Sequence, residues 1–270
     1  MLEPLLRAEE VVKRYQGGGA FGHSPEVVAL AGVSLAIYPC TTLALVGQSG
    51  CGKSTLALCL ACLERVSSGK IWFAGKEVGA LEGKSQRAVR SNIQMVFQDP
   101  TSSLNPRLSA LELVTEPLNI QKRFDEVERR DRSRYLLERV GIRREKMNQR
   151  PGEFSGGQRQ RIAIARALIL DPKVLILDEA LSALDCSVQA QVANLLLELQ
   201  FSLGQTYIFI THDLAMAAHL ADEIAVMDGG RIAETGATER IVDAPQHAVT
   251  RRLLLATRRG KLVASAPQAI

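Results

Sequence analysis

The chain has 270 residues, with 33 lysines and arginines against 29 aspartates and glutamates and a formal charge of +4. That length supports one or two domains with a sizeable core, and so mild a charge argues for no nucleic-acid partner in the absence of a clustered basic patch. No apolar run approaches the roughly 18 residues that span a bilayer, and MLEPLLRAEEVVKRY lacks the layout of a signal peptide, so a soluble chain is expected.

From the N-terminus, short apolar runs alternate with turns. VALAGVSLAIY, TTLALVG and SSGKIWFAGKEV read as strands, and QGGGAFGHSPE (16–26) reads as a flexible loop. The apolar run at 43–46 leads into GQSGCGKST, residues 47–55, and an apolar helix follows. The spacing Gly47-x-x-x-x-Gly52-Lys53-Ser54 is the phosphate-loop pattern, in which backbone N–H groups cup an anion at a helix start. By composition those four positions should coincide by chance in roughly one chain of this length per hundred. Gly47, Gln48, Ser49, Gly50, Cys51, Gly52, Lys53, Ser54 and Thr55 are therefore candidate nucleotide-binding residues. Lys53 would face the β and γ phosphates, and Ser54 offers a hydroxyl to Mg²⁺. Five cysteines, Cys40, Cys51, Cys59, Cys62 and Cys186, form an odd set without a disulfide framework, as in a reducing compartment. Cys59-x-x-Cys62 sits inside the apolar helix as one buried face, and no second pair completes a metal site.

Residues 108–147 turn helical and charged, with eleven basic against six acidic residues between Lys122 and Arg150. A solvated helical face is the plain reading, and a partner or phosphate-rich surface is the alternative. QRQRIAIARALIL (158–170) follows as a helix that stops at Asp171-Pro172. Val174–Leu177 fits a buried parallel strand, QAQVANLLLELQ a crossover helix, TYIFITHD (206–213) another strand, and EIAVMDGGRIAETG a strand and hairpin. Strands alternating with helices around a phosphate loop give an α/β fold with a mostly parallel sheet, its ligand at the strands' carboxyl ends. Asp178 and Glu179 close one such strand. Two carboxylates there repel unless something rewards them, and Asp178 on a nucleotide's Mg²⁺ with Glu179 orienting or deprotonating water would do so. Capping a helix is the alternative use. His212, ending TYIFIT, is a candidate for the γ phosphate by the same positional logic.

Glu153-Phe154-Ser155-Gly156-Gly157-Gln158, Gln98 in VFQDP, Ser182-Ala183-Leu184-Asp185 and His212, in this order around the phosphate loop, resemble the ATP-binding subunit of an ABC transporter. The likeness covers about residues 5 to 245. It implies a P-loop NTPase core with an N-terminal antiparallel β subdomain and an inserted helical signature subdomain at about 100–165, in a domain spanning 1–245 followed by a tail at 246–270. It also implies the roles. Ser155, Gly156, Gly157 and Gln158 form the signature that faces a partner's nucleotide, Gln98 reaches the metal and senses the membrane partner, Asp185 marks the D-loop, and Tyr15 stacks on adenine. Catalysis would then rest on Glu179, His212, Lys53 and Gln98, with Ser54, Gln98 and Asp178 on Mg²⁺.

IQMVFQDPTSSLNPR (93–107) is similar to the same segment of peptide and nickel importer ATPases, where two different ATPase subunits pair, and this chain resembles the second of them. The implied system is a paralogous ATPase subunit, two transmembrane permease subunits and an extracytoplasmic substrate-binding protein, with this chain peripheral on the cytoplasmic face of the membrane. Peptide import driven by ATP is the expected function, with nickel or another solute, or an accessory role in a soluble enzyme complex, as alternatives. A GTPase would need Asn-Lys-x-Asp, which the sequence lacks, and repair-type members would need a long coiled coil between Lys53 and Gly156, here only about a hundred residues apart. Phe154 replaces a leucine, Ala180 stands where many members carry proline, and Pro39-Cys40-Thr41 must close a turn without glycine. Gln246-His247-Ala248-Val249-Thr250 only partly matches the peptide members' His-Pro-Tyr-Thr, and the cysteine-rich tail of those members is missing, which rules against an iron-sulfur cluster there.

Overall fold

The structure is a computed structural model and describes residues 3–17, 24–99 and 103–264. In chain order its elements begin with β1 (Leu6–Gly17), β2 (Ser24–Ile37), β3 (Thr42–Gly47), α1 (Lys53–Leu60), β4 (Ser68–Phe73) and β5 (Lys76–Glu77). Next come α2 (Gly83–Asn92), β6 (Ile93–Val96), α3 (Ala110–Gln121), α4 (Glu126–Arg139), α5 (Gly156–Leu168), β7 (Val174–Asp178) and α6 (Cys186–Leu203). The chain continues through β8 (Thr206–Thr211), α7 (Leu214–Leu220), β9 (Glu223–Asp228), β10 (Arg231–Ala237), α8 (Thr238–Asp243) and α9 (Ala248–Ala264). They form two compact units, one of Met1–Leu81 with Ile208–Ile270 and one of Glu82–Tyr207.

The first unit holds an antiparallel sheet in the order β2-β1-β4-β5, the N-terminal β subdomain that the resemblance implied. Its long β1 carries a bulge between Ala8 and Val11, where Glu10 takes φ 47 and is fixed by Ser34, whose Oγ accepts from Glu10 N at 2.9 Å and donates to Glu10 Oε1 at 2.7 Å. A bulge of this kind adds local twist to the strand. The loop at 16–26 is shorter than its composition suggested: Gln16 and Gly17 end β1 and Ser24 opens β2, while residues 18–23 lie outside the described residues.

Around β3 the same unit turns parallel. β9 runs alongside it with Leu43 opposite Glu223 and Gly47 opposite Met227, and β10 returns antiparallel through Gly229 and Gly230, both at positive φ. Glycine is the natural occupant of such a two-residue turn, and here a Cβ on Gly230 would also lie 2.8 Å from the Ala29 carbonyl oxygen. All six residues of β3 are buried, as the apolar run demanded. α1 is shorter than the sequence pattern suggested. It ends at Leu60, so Cys62 lies beyond the helix with φ 55, and both Cys59 and Cys62 are buried.

Residues expected as a tail pack into this unit. Val249 joins a core cluster with Ala44, Val46, Leu214, Ile224 and Ile241, and Leu253 and Leu254 cover it. Burial of one such valine contributes about 1.5–3 kcal/mol, so Val249, with Leu253 and Leu254 packed beside it, belongs to this unit's core. The cause is Glu234 on β10, which accepts from the backbone N–H of Gln246 and of His247, both at 2.9 Å, and from Thr250 Oγ1 at 2.5 Å.

The second unit, Glu82–Tyr207, contains the expected helices. β6 and β7 pair in parallel, Ile93 opposite Val174 and Val96 opposite Leu177. The charged stretch is two helices. α3 and α4 meet over a buried hydroxyl pair, Thr115 Oγ1 donating to Ser133 Oγ at 2.9 Å, and are joined by a turn in which Lys122 and Phe124 both take positive φ. Arg129 holds that turn through the carbonyls of Arg123 and Phe124 and the Asn119 side chain. α4 buries only Ser133, Leu136 and Leu137, and Arg132 pairs with Glu128 one turn away. That is the solvated face of the plain reading. Residues 100–102 of the segment after Gln98 lie outside the described residues. Among the described residues, no helix is long and apolar enough to cross a membrane.

Candidate functional site

The phosphate loop, Tyr15 and His212 lie in the first unit. β3 delivers Gly47 to its buried end, and the loop closes with Cys51 N donating to Gln48 O at 3.3 Å and Gly230 N to Cys51 O at 3.0 Å. Two glycines are dictated by close approach. A Cβ on Gly52, which has φ 107, would lie 2.5 Å from the Ala29 carbonyl oxygen, and one on Gly47 would lie 2.7 Å from Cys51 Sγ. Gly50, with φ 80, faces open space instead. Gln48, Ser49 and Gly50 are exposed while Cys51 and Lys53 are buried. Lys53 Nζ is drawn into the loop, donating to Gly47 O at 2.8 Å and Gln48 O at 3.0 Å. Burial pushes the Cys51 thiol up despite the neighbouring Lys53 ammonium, so it stays a neutral wall of the loop.

α1 starts without a side-chain cap, whereas α3, α4, α5, α6 and α7 are capped by Ser109, Asp125, Ser155, Asp185 and Asp213. α2 and α8 likewise start without a side-chain cap, and Ser54 at the start of α1 is exposed. A helix start without a side-chain cap, behind an open glycine and a buried lysine, fits a phosphate chain.

Tyr15 is 36% exposed on β1, and Lys13 Nζ stands 4.9 Å from its ring centroid. Lys13 is itself pinned by Glu64 Oε1 at 2.5 Å and the Arg65 carbonyl at 2.8 Å, so the ring rests on a fixed cation. His212 is exposed just past β8, with its downstream neighbour Asp213 anchored by donation from its own N–H to Thr211 Oγ1 at 3.0 Å.

The second unit holds Gln98, the signature, Asp178, Glu179 and Asp185. β7 is buried through Asp178, and Glu179 then takes φ 46, a left-handed conformation that costs a non-glycine residue of order 1–3 kcal/mol. Ser182 holds that turn: its N–H and its hydroxyl both donate to Glu179 O, at 3.0 and 2.8 Å. Gln98 Nε2 donates to Ser182 Oγ at 3.4 Å, so two residues read separately from the sequence are tied through a third. Asp185 caps α6, accepting from Val188 N at 3.0 Å and from Ser187 Oγ at 2.9 Å, and these bonds hold its carboxyl below the usual range.

Ser155 caps α5 in a reciprocal pair with Gln158: Gln158 N donates to Ser155 Oγ at 3.4 Å, and Ser155 N to Gln158 Oε1 at 3.1 Å. Phe154 is buried, so the shape change from leucine is absorbed. Gly156 sits where a Cβ would make ordinary contact with Leu184 at 3.5 Å, and Gly157 is buried against Val188. The structure therefore brings the signature and the D-loop side by side.

The sequence profile of the ABC transporter family matches residues 30–182, which include the phosphate loop, Gln98, the signature and both strand-end carboxylates. This chain belongs to the ABC transporter family. The cassette is 45% identical over 257 residues, 95% of its length and 80% of the relative's, to the di/tripeptide transport ATP-binding protein DppF of Pseudomonas aeruginosa. It is 46% identical over 257 residues, 95% of its length and 79% of the relative's, to the dipeptide transport ATP-binding protein DppF of Haemophilus influenzae. Its fold superposes with a TM-score of 0.77 at 30% identity, over 86% of this chain and 98% of the other, on the dimeric, ADP- and Pi-bound post-hydrolysis state of the ATP-binding cassette MJ0796.

Two residues escaped the sequence reading, and a third was read only within its motif. Lys13 carried a signal, since it lies two residues before Tyr15 on one strand and shares its face. Ser182 was visible only as part of a motif, and Glu234 looked like any strand carboxylate.

Proposed function

We propose that this cassette hydrolyses ATP to energise an importer of peptides. The observation that carries the reading is the glycine loop closed around buried Lys53, in a chain of which 95% aligns with a di/tripeptide transport ATP-binding protein. The loop amides and Lys53 would hold the β and γ phosphates, with Tyr15 stacked on adenine. Glu179 would accept the proton of the attacking water, and His212 would hold the γ phosphate. Among the described residues no cluster of three or more His, Cys, Asp and Glu side chains is placed to hold a metal ion, so Mg²⁺ would depend on the mixed set Ser54, Gln98 and Asp178 together with nucleotide oxygens. Mg²⁺, when bound, neutralises charge on the transferred phosphate.

Two cassettes would sandwich each nucleotide, with Ser155, Gly156, Gly157 and Gln158 facing the partner's, as the family pattern implies. The partner would be a paralogous ATPase, and the pair would drive two permease subunits served by an extracytoplasmic binding protein, with this chain peripheral on the cytoplasmic face. The test is copurification with membrane subunits and ATP hydrolysis by the complex, with the partner's own site inactivated. Glu179→Gln should keep ATP binding and lose steady turnover, and Lys53→Ala should weaken binding itself. Turnover comparable to the parent in Glu179→Gln, or copurification with soluble enzymes only, would overturn the proposal. Uptake of labelled dipeptides against labelled nickel separates the two solutes.

A further inference from the structure

A lysine is costly to bury unless its charge is paired, and Lys13 on β1 is only 9% exposed. Its Nζ donates to Glu64 Oε1 at 2.5 Å and to the Arg65 carbonyl at 2.8 Å. An ammonium has three donors, so one remains, and the Tyr15 ring centroid lies 4.9 Å from the same nitrogen. Residues 13 and 15 share a face of the strand, so the cation backs the ring, which stays 36% exposed.

Both acceptors lie just beyond the far end of the phosphate-loop helix. α1 runs from Lys53 to Leu60, and Leu63 and Glu64 both donate their N–H groups to Leu58 O, at 2.9 and 3.1 Å, so Glu64 is fixed to the last turn. The segment that follows is pinned to β1 on either side of Lys13: Ser67 N donates to Val12 O at 2.8 Å, and Arg14 N to Ser67 Oγ at 2.9 Å. These bonds set strand against helix end, and the Lys13 side chain extends the joint to the ring.

We infer that Lys13 is a positioning residue for the base of the nucleotide, bridging the Tyr15 ring to the end of α1 and so fixing its separation from the phosphate loop. Every link lies in one compact unit: ring, ammonium, Glu64, Leu58 and, about 12 Å back along an eight-residue helix, Lys53. Adenine and triphosphate are covalently joined. A ring held in advance at the right separation from Lys53 therefore lets ATP bind without the entropy loss of ordering it. Lys13→Met keeps an unbranched side chain in place and loses the cation under the ring together with its bonds to Glu64 and Arg65.

This rests on the reading of Tyr15 as the adenine platform, and the probes keep the two apart. ATP and inorganic triphosphate, each with Mg²⁺, are titrated into the full chain, since triphosphate reports the phosphate loop without the base. Expected in Lys13→Met is an ATP dissociation constant raised about three- to tenfold, with triphosphate binding within about twofold of the parent. In a Tyr15→Ala background the same substitution should change ATP affinity by less than about twofold, because the ring it places is gone. A merely structural lysine would weaken both probes together or neither, and a full effect that persists without Tyr15 would mean that the cation does not act through the ring. Either result overturns the inference. Should Lys13→Met fail to fold, Glu64→Ala, at a side chain 36% exposed, removes the anchor and keeps the cation. It should raise the ATP constant at least about threefold and leave triphosphate binding alone, and equal ATP affinity would overturn the inference. If Tyr15→Ala binds ATP as the parent does, the platform reading fails and the inference with it, whereas a loss in Tyr15→Ala with none in Lys13→Met overturns the inference alone.

Discussion

Gly157 packs its bare Cα against Val188, and a Cβ added there would sit inside the Val188 side chain. The glycine is thus required by packing of α5 on α6, before any ligand is considered. A test of the signature through Gly157→Asp would mix lost packing with lost chemistry. Gly156 is the clean position, because a Cβ there meets Leu184 at an ordinary 3.5 Å and an aspartate suits the first turn of a helix. Gly156→Asp should leave the melting temperature within about 2 °C of the parent, since a tolerated surface change stays near 0.5 kcal/mol, while abolishing hydrolysis at the partner's site. Gly157→Asp should instead lower it by several degrees, as overpacking costs about 1–3 kcal/mol. Equal melting temperatures for the two variants would contradict the packing argument.

Where the sequence was informative, it was because backbone chemistry leaves a mark on residue types. The phosphate loop was legible since Gly47 and Gly52 cannot carry a side chain against Cys51 and the Ala29 carbonyl. The parallel strands were legible because β3, β7 and β8 are buried along their whole length and read as unbroken apolar runs. Contacts between distant side chains leave no such mark. Nothing about Glu234 announces that it will hold residues 246–250, so the helix beyond them reads as a tail, and nothing about Ser182 announces that it links Gln98 to Glu179. Helix ends were also hard to place, because Cys62 continues the apolar spacing of α1 while its backbone has already turned left-handed.

Cys40 closes the turn before β3 with φ 59, a conformation natural to glycine, and Thr41 Oγ1 donates to Tyr38 O at 2.9 Å to hold it. The thiol is exposed, and replacing the residue with glycine relieves the left-handed strain. Cys40→Gly should therefore stabilise the fold by about 1 kcal/mol, seen as a rise of roughly 2–4 °C in melting temperature. Cys40→Ala should give no such rise, since a Cβ is kept. A rise of equal size in both would show that the gain came from losing the thiol.

Tyr15 presents an exposed ring over the fixed ammonium of Lys13, a ready platform for a planar base. Tyr15→Ala should raise the ATP dissociation constant by about 5- to 150-fold, the equivalent of 1–3 kcal/mol, without abolishing turnover at saturating ATP. Tyr15→Trp should preserve affinity. Equal ATP affinity in Tyr15→Ala, with intact folding, would mean that the ring merely packs the antiparallel sheet.

Glu234 is buried on β10, and burial by itself would raise its pKa, but the Thr250 hydroxyl and the N–H groups of Gln246 and His247 outweigh that and hold it below the usual glutamate range. A carboxylate whose folded pKa is lowered stabilises the fold fully at pH above its unfolded value and loses that contribution as pH falls through the lower folded value. Glu234→Gln should therefore be less stable than the parent near about pH 7, and the gap should close as both are taken toward about pH 3. Thr250→Val removes one hydrogen bond to that charge at a position fully shielded from solvent, a loss of about 1.5–3 kcal/mol, or roughly 3–12 °C in melting temperature at neutral pH. Since these bonds hold the start of α9, limited proteolysis of either variant should cut near residues 244–250 sooner than in the parent. A stability gap that stays constant from neutral to acid pH would show that the side chain's shape matters there and its charge does not.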